Sequence, residues 1–140
     1  MECWLVRVPE SGEPAVLLLH APERPGVRPA LWQPVSGGVE EGETPSQACL
    51  REVLEESGLR IGDASLMPVV EDLVIVISAQ LTLLKSAYVA AAPPGEVVCD
   101  PNEHDRAEWV PRSQVADRLV RDSHRTVWAL AQDAVSALLP

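Results

Sequence analysis

Residues 37–59, GGVEEGETPSQACLREVLEESGL, carry the strongest structural signal in the chain. Thr44 is followed by Pro45 and, three residues on, by Gln47, the arrangement of a capping box at the start of a helix. Gly58 is the residue type that most often follows the last turn of a helix. The segment therefore predicts a glycine-containing turn and then a helix that runs to about Ser57.

The predicted helix has two chemically different faces. The apolar face consists of two pairs one turn apart, Cys49 with Val53 and Leu50 with Leu54. Glu52, Glu55 and Glu56 share a separate face, and Arg51 can pair with only one of them, Glu55. A hard cation such as Mg²⁺ or Mn²⁺ would offset the remaining repulsion. By itself, however, such a run of charges is more often a solvated face than a metal site.

The residues around the acidic run resemble the signature of the Nudix hydrolase family. That signature is a Gly, five residues, a Glu, seven residues, and then Arg-Glu-apolar-x-Glu-Glu-x-Gly-apolar. The chain matches it at nine positions, Gly37, Glu43, Arg51, Glu52, Val53, Glu55, Glu56, Gly58 and Leu59. The resemblance implies an α/β fold, the α/β/α sandwich of this family with a mixed β-sheet, over the single domain 1–140.

The resemblance also implies a metal-dependent site. Glu52, Glu55 and Glu56 would bind Mg²⁺, with Mn²⁺ as an alternative, and Ser36 would contribute a backbone carbonyl. Arg51 would orient a neighbouring carboxylate, and Glu43 would either support the geometry of the loop and helix or lie just behind the metal ligands. The implied reaction is attack of a metal-activated water at phosphorus in a nucleoside diphosphate-linked substrate.

Several residues outside the signature are further candidates. Residues 32–43 resemble the branch that hydrolyses dihydroneopterin triphosphate or dATP, as do Glu103-His104, Trp109 and 123–125. Glu103 is therefore an alternative to Glu52 as general base. Candidate substrate contacts are Trp32, Gly37, Gly38, Arg28 and Arg125, although a Trp at a strand end is more often a core residue and such arginines are by default solvated. The Pro/Trp-rich extension of NADH-type members is absent, which disfavours that branch.

Composition restricts the partners. The net charge of −10 argues against binding of polymeric nucleic acid, which requires basic surfaces, and favours a small nucleotide-like substrate. Three separated cysteines indicate reduced thiols in the cytoplasm. The longest apolar stretch, 73–84, is shorter than the roughly 20 residues that span a bilayer, so no membrane association is expected, and it is interpreted as a buried strand.

The rest of the chain predicts strands around the helix. They are expected at 15–19, 31–35, 66–70, 73–84, 97–99 and 107–110. Ser113 and Ser123 are expected to cap terminal helices, the last of which covers about 124–138. A nucleotide-binding module without catalytic activity is the alternative function, and the resemblance allows a homodimer, because members of this family are frequently dimers.

Overall fold

A mixed sheet lies between helices in the computed structural model, which describes all residues 1–140. The strands are β1 Glu2–Arg7, β2 Ala15–Ala21, β3 Leu31–Gln33, β4 Val35–Ser36, β5 Met67–Val76, β6 Thr82–Ala91 and β7 Arg106–Pro111. The helices are α1 Pro45–Ser57, α2 Val115–Arg118 and α3 Asp122–Ala137, and short 3-10 turns cover Asp63–Ser65 and Arg112–Gln114.

Strand β1 is the centre of the sheet. The strand order is β3-β2-β1-β6-β5, with β4 paired to β1 and β7 paired to β2. β1 and β6 are parallel, and the other pairs are antiparallel. Sequence analysis did not predict β1. Its residues Cys3 to Val6 are all buried, so both faces are apolar and the polar alternation that reveals a half-buried strand is missing.

Each face of the sheet carries its own hydrophobic core. On one side, Cys3 and Leu5 of β1 pack with Cys49 and Val53 of α1. On the other side, Trp4 packs with α3, and its ring centroid lies 5.0 Å from that of Trp128. Alternate residues of β1 therefore hold the two helical layers on opposite faces, and the predicted α/β/α sandwich is confirmed.

Helix α1 has the predicted ends. The Thr44 side chain accepts a hydrogen bond from the Gln47 amide at 3.2 Å, and the Gln47 side chain accepts one from the Thr44 amide at 2.9 Å. Gly58 follows the helix in the left-handed conformation, with φ of 73°. The Cys49–Val53 pair is buried as expected, whereas Leu54 is 37% exposed, so the expectation that Leu50 and Leu54 form a second core pair was wrong.

The segment 73–84 is not one buried strand. β5 runs from Met67 to Val76 through a bulge at Asp72, which has φ of 54°, and the chain then turns back into β6. Val76 is 71% exposed and Leu84 is 67% exposed. Leu73 still packs against the core, whereas the rest of the run lies mostly on a hairpin whose tip is exposed.

Three local expectations differ from the structure. Residues 97–99 form no strand, although the Val98 amide donates to the Ser57 carbonyl at 2.9 Å. Ser113 does not cap a helix, because its hydroxyl donates to Glu13 at 3.0 Å. Ser123 lies inside α3, which begins at Asp122 without a side-chain cap.

None of the helices has the length and apolar character needed to cross a membrane.

A matched pair of substitutions tests this account of the hairpin. Leu5→Ala should lower the free energy of unfolding by about 2–5 kcal/mol, because it opens a cavity in the core. Leu84→Ala should change it by less than about 0.5 kcal/mol, because that side chain is mostly in solvent. Urea denaturation measures both. An equal loss in the two variants would show that the hairpin side chain is buried.

Candidate active site

An acidic recess lies where α1 faces the loop after β4 and the turn before β7. Its volume is 220 Å³, and seven residues line it, Ser36, Gly37, Glu52, Glu55, Glu56, Asp100 and Glu103. None of the seven is basic or apolar. The structure therefore brings together the three helix carboxylates and Glu103, which lies far away in the sequence.

Glu56 is the most constrained carboxylate of the recess. Glu56 is only 6% exposed, and one of its carboxylate oxygens, Oε2, accepts a hydrogen bond from the Ser36 amide at 3.0 Å. No Lys or Arg lies within salt-bridge distance. Burial raises the pKa of Glu56 to about 8, and the neighbouring carboxylates Glu52 and Glu103 add to the effect. A cation at this position would oppose the shift, because it stabilises the charged form of the carboxylate.

Arg51 connects the glycine turn to the helix. Its Nε and Nη2 atoms donate to the two oxygens of Glu43, both at 2.9 Å, and Nη2 also donates to the Gly38 carbonyl at 2.9 Å. Its Nη1 donates to Glu52 at 2.7 Å and to Glu55 at 3.3 Å. The guanidinium lowers the pKa of Glu43 to about 2. The expected pairing with Glu55 is present, but Glu43 is the main partner.

Gly37 permits the close approach of the turn to α1. A β-carbon at this position would lie 2.3 Å from Oε1 of Glu52, a distance that real side chains do not adopt. The Gly37 amide donates to the Met1 carbonyl at 3.1 Å, which ties the turn to the start of β1. Any side chain at residue 37 would therefore displace a carboxylate of the recess.

Glu103 and Asp100 approach the helix carboxylates from the opposite side. Both belong to the turn before β7, in which the Glu103 amide donates to the Asp100 carbonyl at 3.0 Å. The Glu103 side chain is 56% exposed, and Arg24 lies 3.8 Å from it. Sequence analysis missed Asp100, because an acid in a Pro-containing turn has the appearance of an ordinary loop residue.

The residues of the recess suit a hard divalent cation. Carboxylate and carbonyl oxygens are the donors that Mg²⁺ prefers, and a buried carboxylate without a cationic partner is the group that such an ion stabilises. The carboxylates are nevertheless not gathered around one point, and no three acidic, His or Cys side chains form a compact ligand cluster. One physical reason is that Arg51 draws Glu52 toward itself at 2.7 Å.

Three of the predicted substrate contacts lie away from the recess. Trp32 is flanked by the guanidinium groups of Arg106 and Arg118, each 5.3 Å from its ring centroid. Arg28 donates to the Pro22 carbonyl within its own loop at 2.8 Å. Arg125 donates to the Leu119 carbonyl at 2.8 Å. Gly37 lines the recess, and the Gly38 carbonyl is held by Arg51 beside it.

A second recess adjoins the acidic one at Ser36 and Gly37. It has a volume of 320 Å³, and its other lining residues are Met1, Gly38, Val39, Leu83, Leu84, Lys85, Arg121 and His124. Lys85 is paired with the fully buried Glu2 at 2.9 Å, whereas Arg121 is exposed and has no acidic partner within 4.0 Å. The second recess is thus partly apolar and partly basic, in contrast to the first.

Comparisons with known proteins agree with this architecture. The chain is 35% identical over 120 residues to the NAD-capped RNA hydrolase NudC of Escherichia coli, an alignment that covers 77% of this chain and 42% of NudC. The chain thus spans less than half the length of the curated relatives it matches. Among solved structures, the NUDIX domain of Shewanella oneidensis NrtR, complexed with ADP ribose, has a TM-score of 0.77 at 16% identity, covering 96% of this chain and 85% of that one. The Escherichia coli dihydroneopterin triphosphate pyrophosphohydrolase has a TM-score of 0.67 at 24% identity, covering 96% and 94%.

Fold and recess together define an α/β/α sandwich with an acidic helix packed on one face of its sheet. The family model for the NUDIX domain matches residues 3–130, nearly the whole chain. The chain therefore belongs to the Nudix family, and the resemblance found in residues 37–59 is confirmed.

The raised pKa of Glu56 predicts how the stability of the metal-free protein depends on pH. Folding raises this pKa from 4.5 to about 8, so the native state binds the proton more tightly than the unfolded state does. The free energy of unfolding should therefore fall as the pH rises from about 4.5 through about 8. Glu56→Gln should reduce that fall by more than about 1 kcal/mol.

Urea denaturation in EDTA at pH 5.5 and 8.5 measures this difference. Glu55→Gln is the matched control, because its side chain is 55% exposed and should leave the pH dependence of wild type nearly unchanged. An identical pH dependence in wild type and Glu56→Gln would contradict the burial of an uncompensated carboxylate.

Proposed function

We propose that this chain is a divalent-cation-dependent pyrophosphohydrolase that cleaves a nucleoside diphosphate-linked substrate. The observation that carries the proposal is the buried Glu56 carboxylate, which has no cationic partner and lies in a recess with four further acids. A protein retains such an arrangement at a cost in stability, and perturbed carboxylates of this kind are concentrated at functional sites.

Glu52, Glu55 and Glu56, together with the Ser36 carbonyl, would hold Mg²⁺ or Mn²⁺. A bound divalent cation would neutralise phosphate oxygens and lower the pKa of the attacking water. Arg51 acts by position, since its contacts with Glu43 and the Gly38 carbonyl fix the turn against the helix that carries these carboxylates. The reaction that follows is hydrolysis of a phosphoric anhydride, with no covalent intermediate on the protein.

Two carboxylates are candidates for the general base. Glu52 is partly buried, which raises its pKa, but one of its oxygens is engaged by Arg51 at 2.7 Å. Glu103 makes no hydrogen bond with its side chain and faces the helix from across the recess. Either group would accept a proton from water that attacks phosphorus.

For the substrate, we propose a small triphosphate, namely a (d)NTP or dihydroneopterin triphosphate. The second recess supports this choice, because its apolar and basic residues adjoin the acidic recess and can receive the organic part and an anionic group of one ligand. We place the substrate contacts at Gly37, Gly38 and Arg121, since Trp32, Arg28 and Arg125 lie away from both recesses. The similarity to NudC favours a second candidate, a dinucleotide of the NAD type.

A substrate panel distinguishes these possibilities. Purified protein with Mg²⁺ is incubated with dATP, dihydroneopterin triphosphate, NADH and ADP ribose, and release of phosphate, pyrophosphate and nucleoside monophosphate is measured. We expect turnover of at least one member and none in EDTA. Metal-dependent binding without turnover of any member would instead support the nucleotide-binding module.

Substitution of the helix carboxylates tests the mechanism. Glu55→Gln and Glu56→Gln should each lower kcat by at least about 10²-fold, because a positioned charge is removed while the shape is kept. Glu41→Gln, an exposed acid of the preceding loop, is the control and should keep wild-type turnover. Near-normal rates in both helix variants would exclude these residues as metal ligands.

Arg121→Gln tests the second recess. The variant should raise KM roughly tenfold and leave kcat nearly unchanged, because one charge-assisted contact to the substrate is lost away from the reacting bond. Arg60→Gln, a similarly exposed arginine after α1, is the control. An unchanged KM in Arg121→Gln would remove the second recess from the substrate site.

A further inference from the structure

His104 is buried directly behind the acidic recess, although it belongs to an otherwise exposed turn. Its exposure is 2%, and its backbone amide donates to the Asp100 carbonyl at 2.9 Å. The two ring nitrogens face different partners. Nε2 lies 2.9 Å from the Nε2 of Gln33, at the end of β3, and Nδ1 lies 3.8 Å from Oε1 of Glu56.

The contact with Gln33 favours one tautomer of the ring. The amide nitrogen of Gln33 can only donate, so Nε2 of His104 must accept. An imidazole that accepts at Nε2 is neutral and carries its hydrogen on Nδ1. The Nδ1 atom is buried and has no hydrogen-bond partner, which is rare for a polar atom in a protein interior. It is therefore a donor that lies 3.8 Å from Oε1 of Glu56.

The two oxygens of Glu56 thus face donors on different segments of the chain. Oε2 accepts from the Ser36 amide of β4 at 3.0 Å, and Oε1 faces the Nδ1 of His104. A small movement of either side chain would turn the 3.8 Å approach into a hydrogen bond. With Oε2 hydrogen-bonded and Oε1 facing this donor, the carboxylate keeps lone pairs that can bind a cation in the recess.

We propose that Gln33 and His104 form a positioning pair that orients the Glu56 carboxylate for cation binding, with His104 acting as a neutral imidazole protonated at Nδ1. The proposal rests on the metal site proposed above. The pair also fixes the turn that carries Glu103, the residue before His104, so one anchor sets the distance between Glu103 and the helix carboxylates. Neither Gln33 nor His104 touches the substrate in this account.

The tautomer is tested first, in the metal-free full chain. Long-range ¹H–¹⁵N correlation spectra of the imidazole rings distinguish a protonated nitrogen from an unprotonated one, and the signals of His104 are identified by their loss in His104→Asn. We expect a protonated Nδ1 and an unprotonated Nε2. A ring protonated at Nε2 would overturn the proposal. This readout needs no metal and is independent of any activity.

Cation affinity is tested next, by titration of the full chain with Mn²⁺ followed by electron paramagnetic resonance. His104→Gln and Gln33→Leu should weaken Mn²⁺ binding roughly tenfold, the lower end of the range seen when a group behind a metal ligand is removed. His104→Asn should restore much of the affinity, because its amide nitrogen replaces Nδ1. Urea denaturation of each variant confirms that the chain is folded.

His20→Gln is the matched control, since His20 contacts the same turn through Asp105 at 2.6 Å and has no contact with Glu56. It should bind Mn²⁺ as wild type does. Two results would overturn the proposal and leave Gln33 and His104 only a structural role. One is wild-type Mn²⁺ affinity in His104→Gln. The other is an equal loss of Mn²⁺ affinity in His20→Gln and His104→Asn. Absence of Mn²⁺ binding in the wild-type chain would instead refute the metal site itself.

Discussion

A carboxylate that is buried without a cation destabilises the fold that contains it, and Glu56 is in this position. The helix that carries it packs through Cys49 and Val53 against the central strand β1, so Glu56 cannot move into solvent without disturbing that packing. Its one direct hydrogen bond comes from the Ser36 amide. Burial of this charge costs free energy of folding. The residues around the recess therefore either lower that cost or arrange oxygen atoms that can bind a cation.

Arg51 contacts some of the neighbouring glutamates and not others. It holds Glu43 in a two-pronged contact that binds the glycine turn, and it reaches Glu52 and Glu55 with its remaining nitrogen. Glu56 lies beyond its reach. A single guanidinium thus fixes the geometry of the turn. It leaves the negative charge of Glu56, the most buried of these carboxylates, without a cationic partner, as suits a site that gains its positive charge from a bound cation.

The sequence predicted the helix and its acidic face well, because those features depend on local spacing. Thr44 and Gln47 cap the start of the helix and Gly58 ends it, each through contacts with residues three or four positions away, and the structure confirms all three. The sequence also indicated Glu103, but only through a family resemblance. Its approach to the helix depends on the register between β2 and β7, which no short segment encodes.

The errors have a common physical origin, namely contacts between distant segments. β1 escaped prediction because a strand buried on both faces has no alternating pattern. The run 73–84 was assigned to the core because its composition is apolar, yet Leu84 lies on an exposed hairpin. Gln33 and His104 are 71 positions apart, and their contact becomes visible only when β3 lies beside β2.

The central claim is that the buried Glu56 carboxylate is a cation ligand. A crystal structure of the full chain grown with Mn²⁺, with anomalous difference density measured at the manganese edge, tests it most directly. The account predicts an anomalous peak in the acidic recess, at roughly 2.2 Å from an oxygen of Glu56 and within ligand distance of at least one other carboxylate of Glu52 or Glu55. A fully occupied manganese elsewhere, with Glu56 still bonded only to the Ser36 amide, would contradict it.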